Sequence, residues 1–456
     1  MVCLSRLCIF PKNGGAAMQK KRLLSFMIAL WNPVFCVCLC MYVLTQVQTP
    51  PVLNQEGYLE RSKQSLSDPA FFFSARAFTT TLIYKVCGSN PETIVRFQKI
   101  FLVASWTLLS ATLGMLVGSP FLRVLSWCVF PCMALWWNIL GWSSLLLSEA
   151  CSFSFFAVWL SALIVFLKKP SRLTLLVSIV VGVLFSFSKD NLPYFLLIAT
   201  VLLLVSVRIC IKPFFERYSP LFKSLLFAIL LLFLVQNVSA QIGQRQQFCL
   251  VNVLLQRIFP NPEYSAWFIE RGMPVESDIL KYRGQMASLE DFRLFNDMQY
   301  ESFMKWVLYR GTSVYAIFLV THPDYTFRPL VKQLPVLFSY NLNLFVGLPP
   351  DIFCFRLLYA ILPSTSILAS IALALLSLAA AIIRKRAVCV VPMVLLISLW
   401  ANALFIYHAD AMDVPRHCLM NMIGLECLSY MAFLLIADSV ICQKKSDCSA
   451  LFHDER

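Results

Sequence analysis

The sequence predicts an all-α polytopic membrane protein with about ten transmembrane helices. Three observations carry that reading. Hydrophobic residues make up 59% of the 456-residue chain and charged residues only 14%, with a mean hydropathy of +0.73, far outside the range of soluble domains. Apolar runs of about 20 residues, the length that crosses a bilayer, recur along the chain. Finally, the short turns between them alternate: clusters of Lys and Arg fall at every second turn, as the positive-inside bias requires.

The elements follow in chain order. Arg6, Lys12, Lys20, Lys21 and Arg22 precede an apolar run from Leu23 to about Leu44. That run is too long for a signal-peptide core, and no small-residue cleavage site precedes Thr49-Pro50-Pro51, so it reads as a retained first span with a cytoplasmic N-terminus. Gln46 to Lys99 form a first outer loop, amphipathic around Phe71 to Tyr84. Spans are expected near 100–118, 121–146, 150–167, 172–188, 191–211 and 221–240. Gly118-Ser119-Pro120 and Ser148-Glu149 mark tight hairpins, Lys168-Lys169-Pro170-Ser171-Arg172 a cytoplasmic turn, and Lys189-Asp190-Asn191 the next outer turn. Arg208, Lys212, Arg217 and Lys223 bracket another basic turn.

Residues 241–350 are polar and mixed, an outer-side insert of about 110 residues between an N-terminal membrane module (1–240) and a C-terminal one (351–456). Within it Ser288-Leu289-Glu290-Asp291 resembles a capping box. Phe292, Phe295, Met298, Phe303, Trp306 and Val307 then suit an amphipathic helix packed on the membrane surface or the insert's core. The last spans are expected near 355–383, 388–407 and 418–441, with Arg384-Lys385-Arg386 between the first two and Lys444-Lys445 at the end. Placing the basic turns in the cytoplasm puts both termini inside, Arg96 and Lys99 being a mild exception. The net charge of +14 is thereby explained by cytoplasmic loops and does not call for nucleic acid.

This topology gathers Glu56, Arg76, Ser148, Glu149, Lys189, Asp190, the insert and the stretch His408 to His417 on the outer face. The last packs Asp410, Asp413, Arg416 and two His into ten residues where a span should end. Charge at such a place is expensive unless paired or bound to something. A continuous helix would align Asp410, Asp413 and His417 on one face, although Pro415 fits best in a first helical turn. A loop acid such as Glu56 is usually just solvated, and Glu149 divides between structure, as a helix cap or a structural ion pair, and function. Lys189 and Asp190 read most simply as pairing with each other or anchoring their turn. His322 is as well explained by structure as by function.

Most of the 17 Cys lie in apolar runs and read as small buried hydrophobes. Cys36 and Cys40 share a helix face that Cys38 does not, which disfavours a metal, and a Cys87 to Cys249 bridge has no support in the pattern. No Walker loop, HExxH, paired CxxC or GxSxG occurs, against P-loop hydrolysis, zinc proteolysis and serine esterases. The cofactor is unassigned: nothing in the pattern supports a divalent cation. Arg and His near a helix start suit phosphate, and a carboxylate across a cleft suits deprotonation of a hydroxyl.

These residues resemble the GT-C superfamily of polytopic glycosyltransferases, in particular its bacterial membrane members. Glu56-Gly57-Tyr58 with Ser74-Ala75-Arg76-Ala77-Phe78 and Gln98 is similar to their acid, Arg and Gln pattern. Leu146-Leu147-Ser148-Glu149 with Ser152 and Ser154 resembles their Ser-Glu hairpin. Ser188-Lys189-Asp190-Asn191 through Tyr194 resembles an Arg-Asp-Thr-Asn-x-Tyr turn, with Lys189 standing for Arg. Asp410-Ala411-Met412-Asp413 through Arg416-His417 resembles an Asp-Ala-x-Glu-x-x-Arg-His signature, with Asp413 standing for Glu. The first outer-loop acid is Glu56 where Asp is usual.

The resemblance implies inverting transfer of a sugar from a polyprenyl-phosphate donor to a glycan, lipid or protein acceptor at the outer face of the cell membrane. It makes Glu56 the candidate base and Glu149 a supporting catalytic acid. Arg76, Lys189, Asp190, Asp410, Asp413, Arg416 and His417 become candidates for donor-phosphate or substrate binding. A lipid-linked saccharide transporter or flippase is the alternative, though it commonly carries internal repeats and midplane charge, and no repeat is evident.

Overall fold

The computed structural model describes residues 31–45, 57–73, 76–274, 279–287, 294–338 and 366–451. Among them the regular structure is entirely helical, as a bilayer demands of a backbone that must satisfy its own hydrogen bonds. Helix α1 is Trp31–Thr45. Three short helices follow, α2 (Tyr58–Ser62), α3 (Pro69–Phe72) and α4 (Phe78–Val86), and then the long apolar series: α5 (Pro91–Gly114), α6 (Pro120–Leu135), α7 (Trp137–Leu140), α8 (Ser148–Lys168), α9 (Arg172–Ser186), α10 (Leu192–Cys210) and α11 (Lys212–Ile242). The starts are local sequence events. Asn90 accepts the Thr93 amide ahead of Pro91, and Ser171 and Thr174 form a reciprocal capping box at the start of α9.

The insert holds α12 (Arg245–Val253), α13 (Pro262–Ile269), α14 (Glu301–Trp306), α15 (Thr312–Thr321) and α16 (Pro323–Leu337). The chain returns to apolar helices in α17 (Ile367–Arg384) and α18 (Val391–Ala409), then crosses a one-turn α19 (Val414–His417) into α20 (Leu419–Leu451). Seven described helices are long and apolar enough to cross a membrane, or eight if the bent pair 120–144 counts as one span. The chain is therefore a multi-pass membrane protein. The expected span at 172–188 is shorter as α9, while most of the first half of the expected span at 23–44 lies outside the described residues. The 15 residues of α9 reach about 22 Å against a hydrocarbon core of about 30 Å.

The expected span 121–146 is broken. Trp136 adopts an extended backbone (φ −61°, ψ 129°) after Pro131 has removed an amide donor from the last turn of α6, and the chain bends by 53° into 137–144. Other expectations are also corrected. Ser288 to Phe292 lie outside the described residues; Leu294 to Asn296 are helical, Asp297 then caps Gln299, and a 3₁₀ turn at Met298–Tyr300 leads into α14. The Asp410 to His417 stretch is not one helix, because α18 stops at Ala409 and Asp413 takes a left-handed φ of 50°. Pro415 sits in the first turn of α19, where a missing N–H costs nothing.

Helix α8 is the centre of the bundle, with 89% of its apolar window buried, whereas α17 at 28% faces lipid. Phe156 and Trp159 of α8 meet Phe185 and Phe195 from the flanking helices. With lipid as apolar as leucine, close approach and interhelical hydrogen bonds carry much of the association. Ser110 and Ser126 exchange hydroxyl-to-carbonyl bonds of 3.0 Å between α5 and α6, and Ser178 reaches the Ala162 carbonyl. Ser370 and Ser429 join α17 to α20. One end of the bundle is tied by Asp438, which accepts from the Gly118 and Ser119 amides and pairs with Arg386 at 3.0 Å. The opposite end holds the start of α8, the α9–α10 turn and the α18–α19 turn.

The insert has a core of its own around Leu254, Phe268, Tyr282, Tyr300, Phe303 and Phe318. His322 belongs to it, stacked on Phe318 at 4.1 Å. The insert docks on the α18–α19 turn through contacts that include Asn252 to Asp410, the Arg257 guanidinium on the Tyr407 ring and carbonyl, and His408 to the Thr326 carbonyl at 2.9 Å.

Candidate functional site

Glu149 stands in the first turn of α8 at the hairpin Leu147-Ser148 and is 2% exposed. Its Oε1 receives Lys189 Nζ at 3.0 Å from the α9–α10 turn and lies 3.6 Å from Arg416 Nε of α19. Ser148 Oγ donates to Oε2 at 3.4 Å, and the His417 ring lies within electrostatic reach. Three segments far apart in sequence thus meet on one carboxylate. Two cations, Lys189 and Arg416, thus share this carboxylate inside an apolar bundle.

Lys189 and Asp190 do not pair with each other, contrary to one of the two simple readings of the sequence. The turn sends them apart. Asp190 Oδ1 accepts from Gln236 of α11 at 3.0 Å and lies 3.3 Å from Arg245 Nε at the start of α12. Arg245 also donates to Ser239 at 3.1 Å, and its side chain is 4% exposed. Arg76 stacks its guanidinium over Tyr58 at 5.6 Å and is close enough to act on both Asp190 and His417. Cys249 lies within the same electrostatic reach of Asp190, Asp410 and Arg76.

The first loop is seated against these turns. Tyr84 donates to the Leu147 carbonyl at 3.0 Å, the Thr79 amide to the Phe187 carbonyl, and Thr80 to the Ser188 carbonyl. Below them an amide ladder runs Asn191 to Asn402 (3.1 Å) and Asn402 to Asn421 (2.7 Å), joining the α9–α10 turn to α18 and α20. It fixes the hairpins that present Lys189 and Arg416.

Asp410 is set apart from Glu149. It accepts from the Met412 amide at 2.9 Å and from Asn252 at 3.3 Å, and burial pushes its carboxyl above the usual aspartate range. Its described role is to hold the turn and the insert. Asp413 shapes the same turn as the left-handed residue before α19. Glu56 lies outside the described residues. Cys87 and Cys249 are both free thiols.

Arg245, Gln236, Asn252 and the asparagine ladder escaped sequence reasoning. Gln236-Asn237 does interrupt an otherwise apolar α11, and that was the available signal; Arg245 is one Arg at the edge of a polar insert and gives none. No protein-family model, curated protein or solved structure matches this chain.

Proposed function

We propose that this chain is a GT-C-like membrane glycosyltransferase, moving a sugar from a polyprenyl-phosphate donor to an acceptor at the outer face of the membrane with inversion. The observation that carries the reading is the meeting of Lys189 and Arg416 on Glu149, beside Arg245, Asp190 and Arg76, at the bundle end away from Lys168–Arg172 and Arg384–Arg386. In this reading the chain has ten spans, both termini are cytoplasmic and the insert is outside.

The chemistry asks for a cationic pocket. An acceptor hydroxyl loses its proton to a carboxylate, its oxygen bonds to the anomeric carbon, and the bond from that carbon to the phosphate oxygen breaks. Polyprenyl phosphate leaves as a phosphomonoester with one more negative charge than the phosphodiester donor, and positioned cations stabilise that added charge more than they stabilise the singly charged donor. Arg416, Lys189 and Arg245 are assigned to that charge, with His417 and Arg76 at its edge. Glu149, whose Oε1 meets Lys189 and Arg416 and whose Oε2 accepts from Ser148, is assigned to positioning the two cations rather than to taking the proton. The base is assigned to Glu56. Asp410 and Asp413 hold the turn that presents Arg416, since acids in contact with a phosphate would oppose it.

The bent helix pair 120–144 favours the second reading, a lipid-linked saccharide transporter, because interrupted helices are a transporter feature. Incubating purified protein with a panel of polyprenyl-phosphate sugars and acceptors separates the two. A transferase releases polyprenyl phosphate, whereas a transporter moves intact donor across a vesicle.

A further inference from the structure

At the other end of the bundle, the α8–α9 turn and the start of α11 flank an open cleft of about 430 Å³. It is lined by Lys168, Lys169 and Arg217 with Pro170, Phe214 and Tyr218. We propose that this cleft binds the phosphate of an anionic glycerophospholipid in the leaflet at the basic end of the protein. The proposal does not depend on the transferase reading.

Three observations converge. The first is charge: three cations line the cleft and no acid does, the neighbouring Glu216 being exposed and paired with Lys212 at 3.7 Å. Arg123 and Arg386 add to the field at Lys168. The second is depth. Lys168 ends a 21-residue apolar helix and Arg172 begins the next, which sets the cleft at headgroup level. The third is the mixed lining, in which cations stand beside aromatic and proline surface. Arg217 lies over the Tyr218 ring at 5.5 Å, an arrangement that holds a guanidinium over apolar surface, and guanidinium is the group that grips phosphate oxygens in pairs. A phosphodiester with a glycerol backbone presents that same combination. A soluble phosphate presents only the anionic half.

The test uses full-length protein in neutral detergent, with unfolding followed by tryptophan fluorescence on adding dioleoyl phosphatidylglycerol, dioleoyl phosphatidylcholine or inorganic phosphate. The variant is Lys169→Gln with Arg217→Gln. Lys168 is left in place because its Nζ donates to the Met115 carbonyl at 2.6 Å and secures the bundle. Phosphatidylglycerol is expected to raise the unfolding midpoint and phosphatidylcholine to leave it unchanged. The double variant is expected to weaken phosphatidylglycerol affinity on the order of tenfold or more, each cation near a charged surface contributing a several-fold factor. An equal shift with phosphatidylcholine, or an undiminished phosphatidylglycerol shift in the variant, overturns the site. Inorganic phosphate reproducing the whole shift overturns the lipid as occupant. Should the double variant fail to fold, native mass spectrometry of Lys169→Gln alone reads the same loss as fewer retained phosphatidylglycerol molecules.

Discussion

Lys189 Nζ lies 3.0 Å from Glu149 Oε1, joining two hairpins that are 40 residues apart. The contact is 14% exposed on the lysine side and 2% on the glutamate side, so it forms where water screens little. Removing one partner of such a pair costs about 3–5 kcal/mol, because the other charge stays buried. Glu149→Gln removes a carboxylate contact from two cations, Lys189 and Arg416, whereas Lys189→Gln removes one contact and leaves Glu149 with Arg416. Thermal unfolding in detergent is therefore expected to show the larger loss for Glu149→Gln. Equal, small losses would contradict the shared-carboxylate geometry.

Helix packing makes a second prediction. A Cβ at Gly114 would stand 2.4 Å from Trp127 Nε1, and one at Gly424 would stand 2.7 Å from Leu399 Cδ2. The rigid indole cannot step aside, while the leucine end can. Gly114→Ala is expected to destabilise by about 1–3 kcal/mol and Gly424→Ala by less, as measured by unfolding in detergent.

The insert should be separable from the bundle in its stability. Arg257→Met removes the guanidinium from the Tyr407 ring and carbonyl, a contact of about 1–2 kcal/mol when desolvated. Hydrogen exchange is expected to quicken in 245–338 while the apolar helices keep their protection. Uniform quickening throughout would show that the insert is not held in this way.

Asp410 sets a pH dependence. Burial raises its carboxyl above the ordinary aspartate range, opposed by the Met412 amide, so the folded chain holds this proton more tightly than the unfolded chain does. The favourable contribution is full below the unfolded value and is lost as pH rises through the higher folded one. Asp410→Asn is expected to remove that loss, flattening the unfolding temperature over the interval just above the ordinary aspartate range. An unchanged pH profile would remove Asp410 as its source.

Composition and the alternation of basic turns made the helical membrane class legible, because the bilayer tolerates few alternatives. The break at Trp136 was not legible: Pro131 announces a disturbed helix, but the extended residue after it depends on packing. At the site, Glu149, Lys189 and Arg416 stood out as charge at the ends of apolar runs, where it needs a partner. Their pairing did not. Lys189 and Asp190 are neighbours in sequence, and only the direction of the turn sends one to Glu149 and the other to Arg245. Arg245 was silent because an arginine after a helix end in a polar segment is ordinary.

The most direct test of the central claim is release of polyprenyl phosphate by purified protein supplied with polyprenyl-phosphate sugars and acceptors, comparing the unaltered chain with Arg416→Ala. The expected result is sugar transfer with inverted anomeric configuration by the unaltered chain. Arg416→Ala should insert normally and fall by about 100-fold or more in turnover. Full turnover in Arg416→Ala, or passage of intact donor across vesicles with no bond broken by either chain, would contradict it.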